Sequence, residues 1–97
     1  AGAWEIMELK WTSKAASDLS RLYEFLAPAN KKAAARAIQT LTKAPNILLS
    51  NPRIGEQLFE FESQEVRRIL IGNYEIRYEI KNSTISVLRV WHTRENR

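Results

Sequence analysis

Residues 74–80 read Tyr-Glu-Ile-Arg-Tyr-Glu-Ile. Apolar and charged side chains alternate with the period of a strand that lays one face on a core. Tyr74, Ile76, Tyr78 and Ile80 therefore share one face, and Glu75, Arg77 and Glu79 share the other. Turn residues stand on both sides, Gly72-Asn73 before and Lys81-Asn82-Ser83 after. Upstream, Glu65 to Ile71 is β-branched and basic. Downstream, Thr84 to His92 is apolar on both faces, as a central buried strand would be. The three strands predict a C-terminal antiparallel meander.

Toward the N-terminus the period changes. Glu5 to Trp11 reads as a first strand, with Ile6, Leu9 and Trp11 supplying apolar bulk. Thr12 or Ser13 is placed to cap a helix, since either hydroxyl can accept from an orphan backbone N–H. Ala15, Leu19, Leu22, Tyr23 and Leu26 then recur at helical spacing, with Lys14, Asp18, Arg21 and Glu24 on other faces. Pro28 cannot continue that helix. Asn30 caps a second one, whose stripe is Ala34, Ala37, Ile38 and Leu41; its small side chains permit close helix approach. Pro45 ends or kinks it, and Ile47, Leu48 and Leu49 form a further apolar turn. The short link between the helices predicts an antiparallel hairpin. Asn51 to Gly55 is a turn, and the acidic stretch Glu56 to Glu65 reads as a solvated loop. The order is β-α-α-β-β-β. It predicts an α+β domain in which a helical hairpin packs on a small, twisted, mainly antiparallel sheet.

The chain has 97 residues, enough for one domain with a thin core, and 44% of them are hydrophobic. Residues 1–6 precede the single methionine, Met7, and read as a cloning scar, a processed end or an authentic extension; residues 7–97 read as one domain. There is no cysteine, which removes disulfides, thiol catalysis and thiolate metal ligands and is compatible with a reducing compartment. With one histidine, a metal site would need carboxylates for nearly every ligand, so neither metal nor cofactor is expected. No apolar run approaches a membrane span. Fifteen basic residues against 11 acidic give a net charge of +4, which points to an acidic partner, either nucleic acid or an acidic protein segment.

Four pieces in this order resemble the RelE/ParE superfamily of bacterial toxins from type II toxin–antitoxin systems. They are Lys10-Trp11-Thr12 through Asp18-Leu19, Pro52-Arg53-Ile54-Gly55, the strand 74–80, and Val87-Leu88-Arg89-Val90-Trp91-His92-Thr93-Arg94. The resemblance implies a cytoplasmic, growth-inhibiting protein, of a kind associated with plasmid stabilisation, that is neutralised by a cognate antitoxin. That antitoxin would be ParD-like and form a hetero-oligomer with the toxin. RelE-like members of this superfamily are ribosome-dependent mRNA endoribonucleases, whereas ParE-like members keep the fold and poison DNA gyrase. The positions that supply two Arg and a Tyr in the RelE pattern fall here on Glu75, on Thr93 beside Arg94, and at or near Arg97. A carboxylate repels phosphate, and no Tyr follows Tyr78, so the ParE branch is the closer resemblance. The resemblance thus implies a gyrase-inhibiting toxin without catalytic residues and without sequence-specific nucleic-acid binding. The alternatives are a RelE-type nuclease, in which His92, Arg94 and Arg68 would be the catalytic candidates, or a non-toxic antitoxin-binding module.

On the ParE reading, Trp91, His92, Arg94 and Arg97 are the expected target contacts. Leu19, Leu22, Tyr23, Leu26, Ile38, Arg67, Arg77 and Arg89 are the expected antitoxin contacts, with a helix against the hairpin and an extended segment over the sheet. Each has a plainer alternative. His92 is either a proton-transfer group, the one side chain suited to it near neutral pH, or a strand-end histidine bonded locally. Trp91 is an exposed binding anchor or a packed aromatic. The meander arginines Arg67, Arg68, Arg77, Arg89 and Arg94 form a basic groove, or are edge charges paired with Glu75 and Glu79. Arg67 and Arg68, being adjacent in a strand, must point to opposite faces. Arg53 is a functional loop residue or an ordinary turn residue.

Overall fold

The computed structural model describes residues 6–95. A strand β1 (Glu8–Trp11) leads into helices α1 (Ser13–Leu26) and α2 (Lys31–Lys43). A 3-10 turn at Ala44–Leu49 follows, then β2 (Glu56–Gln57), a second 3-10 turn at Phe59–Phe61, β3 (Glu65–Ile71), β4 (Tyr74–Lys81) and β5 (Thr84–His92). The caps are the predicted ones: the Thr12 hydroxyl accepts from Ala15 N–H and the Asn30 side chain accepts from Ala33 N–H. Pro45 sits in the first turn of the 3-10 segment, where its missing N–H costs nothing. No helix among the described residues is long and apolar enough to cross a membrane.

The strands form one sheet in the order β1-β5-β4-β3-β2. The meander β3-β4-β5 is antiparallel, whereas β1 runs parallel to β5, because the helical hairpin carries the chain back across one face before the meander begins. The turn at Gly72 uses a positive φ of 59°, which glycine adopts without steric cost. Two expectations need correction. The first strand begins at Glu8; Glu5 lies outside the described residues. The acidic stretch Glu56 to Glu65 is not simply a solvated loop: Glu56 and Gln57 pair with Arg68 and Arg67 as a short edge strand, and Phe61 is partly buried over the sheet.

The core lies between the hairpin and one face of the sheet. Ala15, Leu22, Leu41, Ile76, Val87 and Val90 form one fully buried cluster, and Leu48, Tyr78 and Ile85 a second beneath the 3-10 turn. Val87 and Val90 are three residues apart, so strict alternation would put them on opposite faces. They share a face because β5 carries a bulge: Arg77 pairs with Arg89 but Tyr78 pairs with Val87, leaving Leu88 as the extra residue. The bulge switches parity, and Val90 and His92 turn toward the helices while Arg89 and Trp91 turn to the other face.

Candidate functional site

The arginines of the meander are built into ion pairs, beginning at the edge of β5. β1 pairs with β5 only as far as Val87, so the last residues of β5 lack a strand on that side. Side chains of α1 and of the segment after β5 replace it. The Thr12 hydroxyl donates to Val87 O at 2.9 Å, Asp18 Oδ2 accepts from Val90 N–H at 2.8 Å, and Arg21 Nη2 donates to Val90 O at 3.0 Å. Glu95 Oε1 accepts from His92 N–H at 2.9 Å. Asp18 is 2% exposed and also receives Arg21 and a two-pronged contact from Arg89, at 2.8 and 3.1 Å. Burial alone would raise its pKa, but the hydrogen bonds from Arg89, Val90 and Arg21 outweigh that and hold the carboxyl below its ordinary value. Arg21 in turn clamps Glu95 through Nε and Nη2, at 2.9 and 3.0 Å, and this hydrogen bonding lowers the Glu95 pKa. The expectation that Asp18 faces away from the core is therefore corrected. Its position three residues after Ala15 and four before Leu22 puts it on the buried stripe, and that spacing was legible.

On the sheet face away from the helices, Glu75 is 2% exposed at the centre. Arg68 Nη1 approaches its carboxylate at 3.5 Å and Arg77 Nη2 at 3.3 Å. The Arg77 guanidinium lies 4.7 Å from the Trp91 ring centre and 5.5 Å from that of Phe61, and Arg89 lies 5.0 Å from Trp91. Trp91 is 8% exposed, with the Arg77 and Arg89 guanidinium groups over its ring, and is not the exposed anchor one alternative expected. Arg68 is also bonded to Glu56 at 2.8 Å, which raises its pKa further.

His92 is the locally bonded strand-end histidine of the plainer alternative. It is 9% exposed, its ring lies edge-on to Tyr74 at 5.1 Å and tilted against Phe25 at 5.9 Å, and Nδ1 accepts from Arg94 N–H at 3.0 Å. The bulge turns it inward, toward Phe25 and Tyr74. Arg94 is exposed beside it; Arg97 lies outside the described residues.

Arg67 and Arg68 do point to opposite faces. Arg67 pairs across from Tyr78 on the helix side and donates to Gly55 O at 2.7 Å and Glu65 at 2.8 Å. Arg53 donates to both oxygens of Glu65 at 2.9 Å. Burial would raise the Glu65 pKa, but hydrogen bonds from Arg53 and Arg67 lower it on balance. The Pro52–Gly55 turn is sealed from inside by Tyr78, whose hydroxyl donates to Pro52 O at 2.7 Å and accepts from Gly55 N–H at 3.1 Å. A Cβ at Gly55 would stand 2.6 Å from both Arg68 O and the Tyr78 hydroxyl, so only glycine fits.

Of the expected antitoxin contacts, Leu19, Tyr23 and Ile38 line one shallow groove between α1 and α2. Leu22 is fully buried in the core and Leu26 is half-buried, so Leu22 is withdrawn as a contact. Arg67, Arg77 and Arg89 do not converge: the first is tied into the turn, and the other two stack on Trp91.

These features define an α+β fold, a two-helix hairpin on a five-strand mixed sheet. The family described as "ParE toxin of type II toxin-antitoxin system, parDE" matches residues 9–97. The chain belongs to that family. Among solved structures, the chromosomal ParDE toxin–antitoxin system of P. aeruginosa superimposes with a TM-score of 0.75 at 25% identity, covering 91% of this chain and 97% of that one. The RelBE2 toxin–antitoxin complex of Mycobacterium tuberculosis gives 0.62 at 24% identity, with 92% and 93% covered, a likeness of fold. A search of curated protein sequences returned no match.

Proposed function

We propose that this chain is a toxin that holds DNA gyrase in its cleaved-DNA state, and that a ParD-like antitoxin neutralises it by folding on its surface. The observation that carries the choice of target is Glu75. Cutting RNA by attack of the 2′-hydroxyl requires cations on the phosphate and groups that accept and donate a proton. A phosphate on the open sheet face would meet a buried carboxylate whose charge already engages Arg68 and Arg77. His92 packs against Phe25 and Tyr74, and its Nδ1 is already taken by Arg94 N–H. Family membership supports the antitoxin, and the absence of an assembled cleavage set among the described residues supports a target that is trapped rather than cut.

The same geometry suits a passive trap. The Arg21–Glu95 clamp fixes the segment that follows β5, so exposed Arg94 projects from a rigid mount. A guanidinium held in this way can meet a carboxylate or phosphate of an enzyme–DNA intermediate, changing a population without chemistry. Such a role places the chain in the cytoplasm. The test is a supercoiling assay in which gyrase is titrated with folded, antitoxin-free protein at moderate salt. Inhibition with accumulation of cleaved DNA is expected, and Arg94→Ala should weaken it more than it weakens antitoxin binding. Full supercoiling at large molar excess would remove gyrase as the target. His92→Ala should leave toxicity within a few-fold, whereas loss of a general acid or base costs about 10²–10⁴-fold.

A further inference from the structure

One side of α1 faces the end of β5. Asp18, Arg21 and Phe25 are three and four residues apart, so they share that side, with buried Leu22 between them. Each meets β5 beyond Val87, where β1 has stopped pairing. Asp18 accepts from Val90 N–H and from Arg89, Arg21 donates to Val90 O, and the Phe25 ring rests on His92. Asp18 and Phe25 go no further. Arg21 also reaches Glu95, in the turn that follows the strand.

Glu95 uses both carboxylate oxygens. Oε2 accepts from Arg21 Nε at 2.9 Å, and Oε1 accepts from Arg21 Nη2 at 3.0 Å and from His92 N–H at 2.9 Å. A two-pronged pair of guanidinium and carboxylate fixes direction as well as distance. The other ties of the turn start from backbone donors: Thr93 N–H to Asn73 O at 2.8 Å, Arg94 N–H to His92 Nδ1 at 3.0 Å and Glu95 N–H to His92 O at 2.9 Å. They hold the turn to β5 and to the β3-β4 hairpin. Among the described residues, the Glu95 carboxylate is what joins it to α1. Between the anchored residues Thr93 and Glu95 stands Arg94, exposed and in no ion pair among the described residues.

We propose that Arg21 and Glu95 are positioning residues: their pair aims the Arg94 guanidinium at the target, and toxicity depends on them through Arg94. The proposal rests on the target contact proposed for Arg94. A cation on a loose chain end loses conformational freedom when it binds, and that cost subtracts from affinity. A turn already fixed on both sides of Arg94 avoids it. Glu95 does not itself meet the target, because both of its oxygens are occupied and its side chain is 15% exposed. The pair takes the backbone N–H of His92 and not its ring, which agrees with the small effect expected of His92→Ala.

The test is a double-mutant cycle on the whole chain, with Glu95→Gln, Arg94→Ala and the two combined, read by gyrase supercoiling and by growth arrest on induced expression. Glu95→Gln keeps the size of the side chain and loses its charge. It should raise the toxin concentration for half-inhibition about tenfold, with Arg94→Ala costing at least as much. In the Arg94→Ala background it should add less than about twofold. Arg21→Lys should also weaken inhibition, because an ammonium cannot grip the carboxylate as a fork. Glu8→Gln, which changes an exposed carboxylate of β1, should have no effect. Hydrogen–deuterium exchange should quicken at the His92 and Arg94 amides of Glu95→Gln while Ile76 stays protected, which separates a loosened turn from an unfolded chain. Equal losses in the two backgrounds, unchanged inhibition by Glu95→Gln, or unchanged exchange overturns the proposal. Failure of the gyrase reading looks different: the wild type then leaves supercoiling intact while growth arrest still shows the coupling, which upholds the pair with another target. A wild type that does neither removes the role of Arg94 and overturns the proposal with it.

Discussion

The C-terminal meander and α2 are both rich in cations, yet they differ in what those cations do. In the meander, Arg67, Arg68, Arg77 and Arg89 each meet a carboxylate, and two of those carboxylates, Asp18 and Glu75, are buried. On α2, Lys32, Arg36 and Lys43 face water with no acid in the same stretch of chain. A count of basic residues therefore measures neither attraction for a partner nor its location. What matters is whether folding has already satisfied the charge. Buried pairs tie elements together and are costly to break, whereas exposed charges contribute little to stability and remain available for binding.

The largest expected effect breaks the meander's pairing. Asp18→Ala removes the acceptor of Arg89, Arg21 and Val90 N–H at once and should destabilise the fold by about 3 kcal/mol, measured by urea unfolding. A loss under half of that would mean that the edge of β5 does not depend on this carboxylate. Glu75→Gln should cost less, about 1–2 kcal/mol, and should also convert the open face into a cationic one. Binding to heparin–agarose should then strengthen, with elution at higher salt than the wild type. Unchanged elution would mean that Arg68 and Arg77 were not neutralised by Glu75.

Acid should erode the same pairs. Asp18, Glu65 and Glu95 all titrate below their ordinary values of 3.8, 4.5 and 4.5 in the folded chain. Protons therefore bind the unfolded chain first as pH falls, so these groups contribute stability above the ordinary values and lose it below them. The melting temperature should change little from these carboxylates between neutrality and pH 5, and then drop below about pH 4. In Asp18→Ala the acid drop should be shallower. Smallest of all, changing Lys32, Arg36 and Lys43 together to Ala should leave stability within about 0.5 kcal/mol, since none holds an ion pair among the described residues.

Much of the fold was legible because its signals are local. The alternation from Tyr74 to Ile80, the caps Thr12 and Asn30, and the turn at Gly72 each depend on neighbours a few residues away. The site was less legible because its decisive facts are not local. The two-faced apolarity of Thr84 to His92 read as central burial, and β5 is flanked on both sides only as far as Val87; the same apolarity also marks the bulge at Leu88 that turns His92 inward. Trp91 is buried by Arg77 and Arg89 through register, which no spacing reveals. Glu56 and Gln57 make a strand only because Arg67 and Arg68 lie opposite. Glu75, marked by the sequence as a poor phosphate ligand, was placed by the fold where that matters most.

The most direct test of the claim that this fold traps rather than cuts is one preparation of toxin divided between two assays. One half meets gyrase and relaxed plasmid; the other meets translating ribosomes, with primer extension along the mRNA. The account predicts lost supercoiling with cleaved DNA accumulating, and mRNA that stays whole. Intact supercoiling beside mRNA cut at defined codons would contradict it.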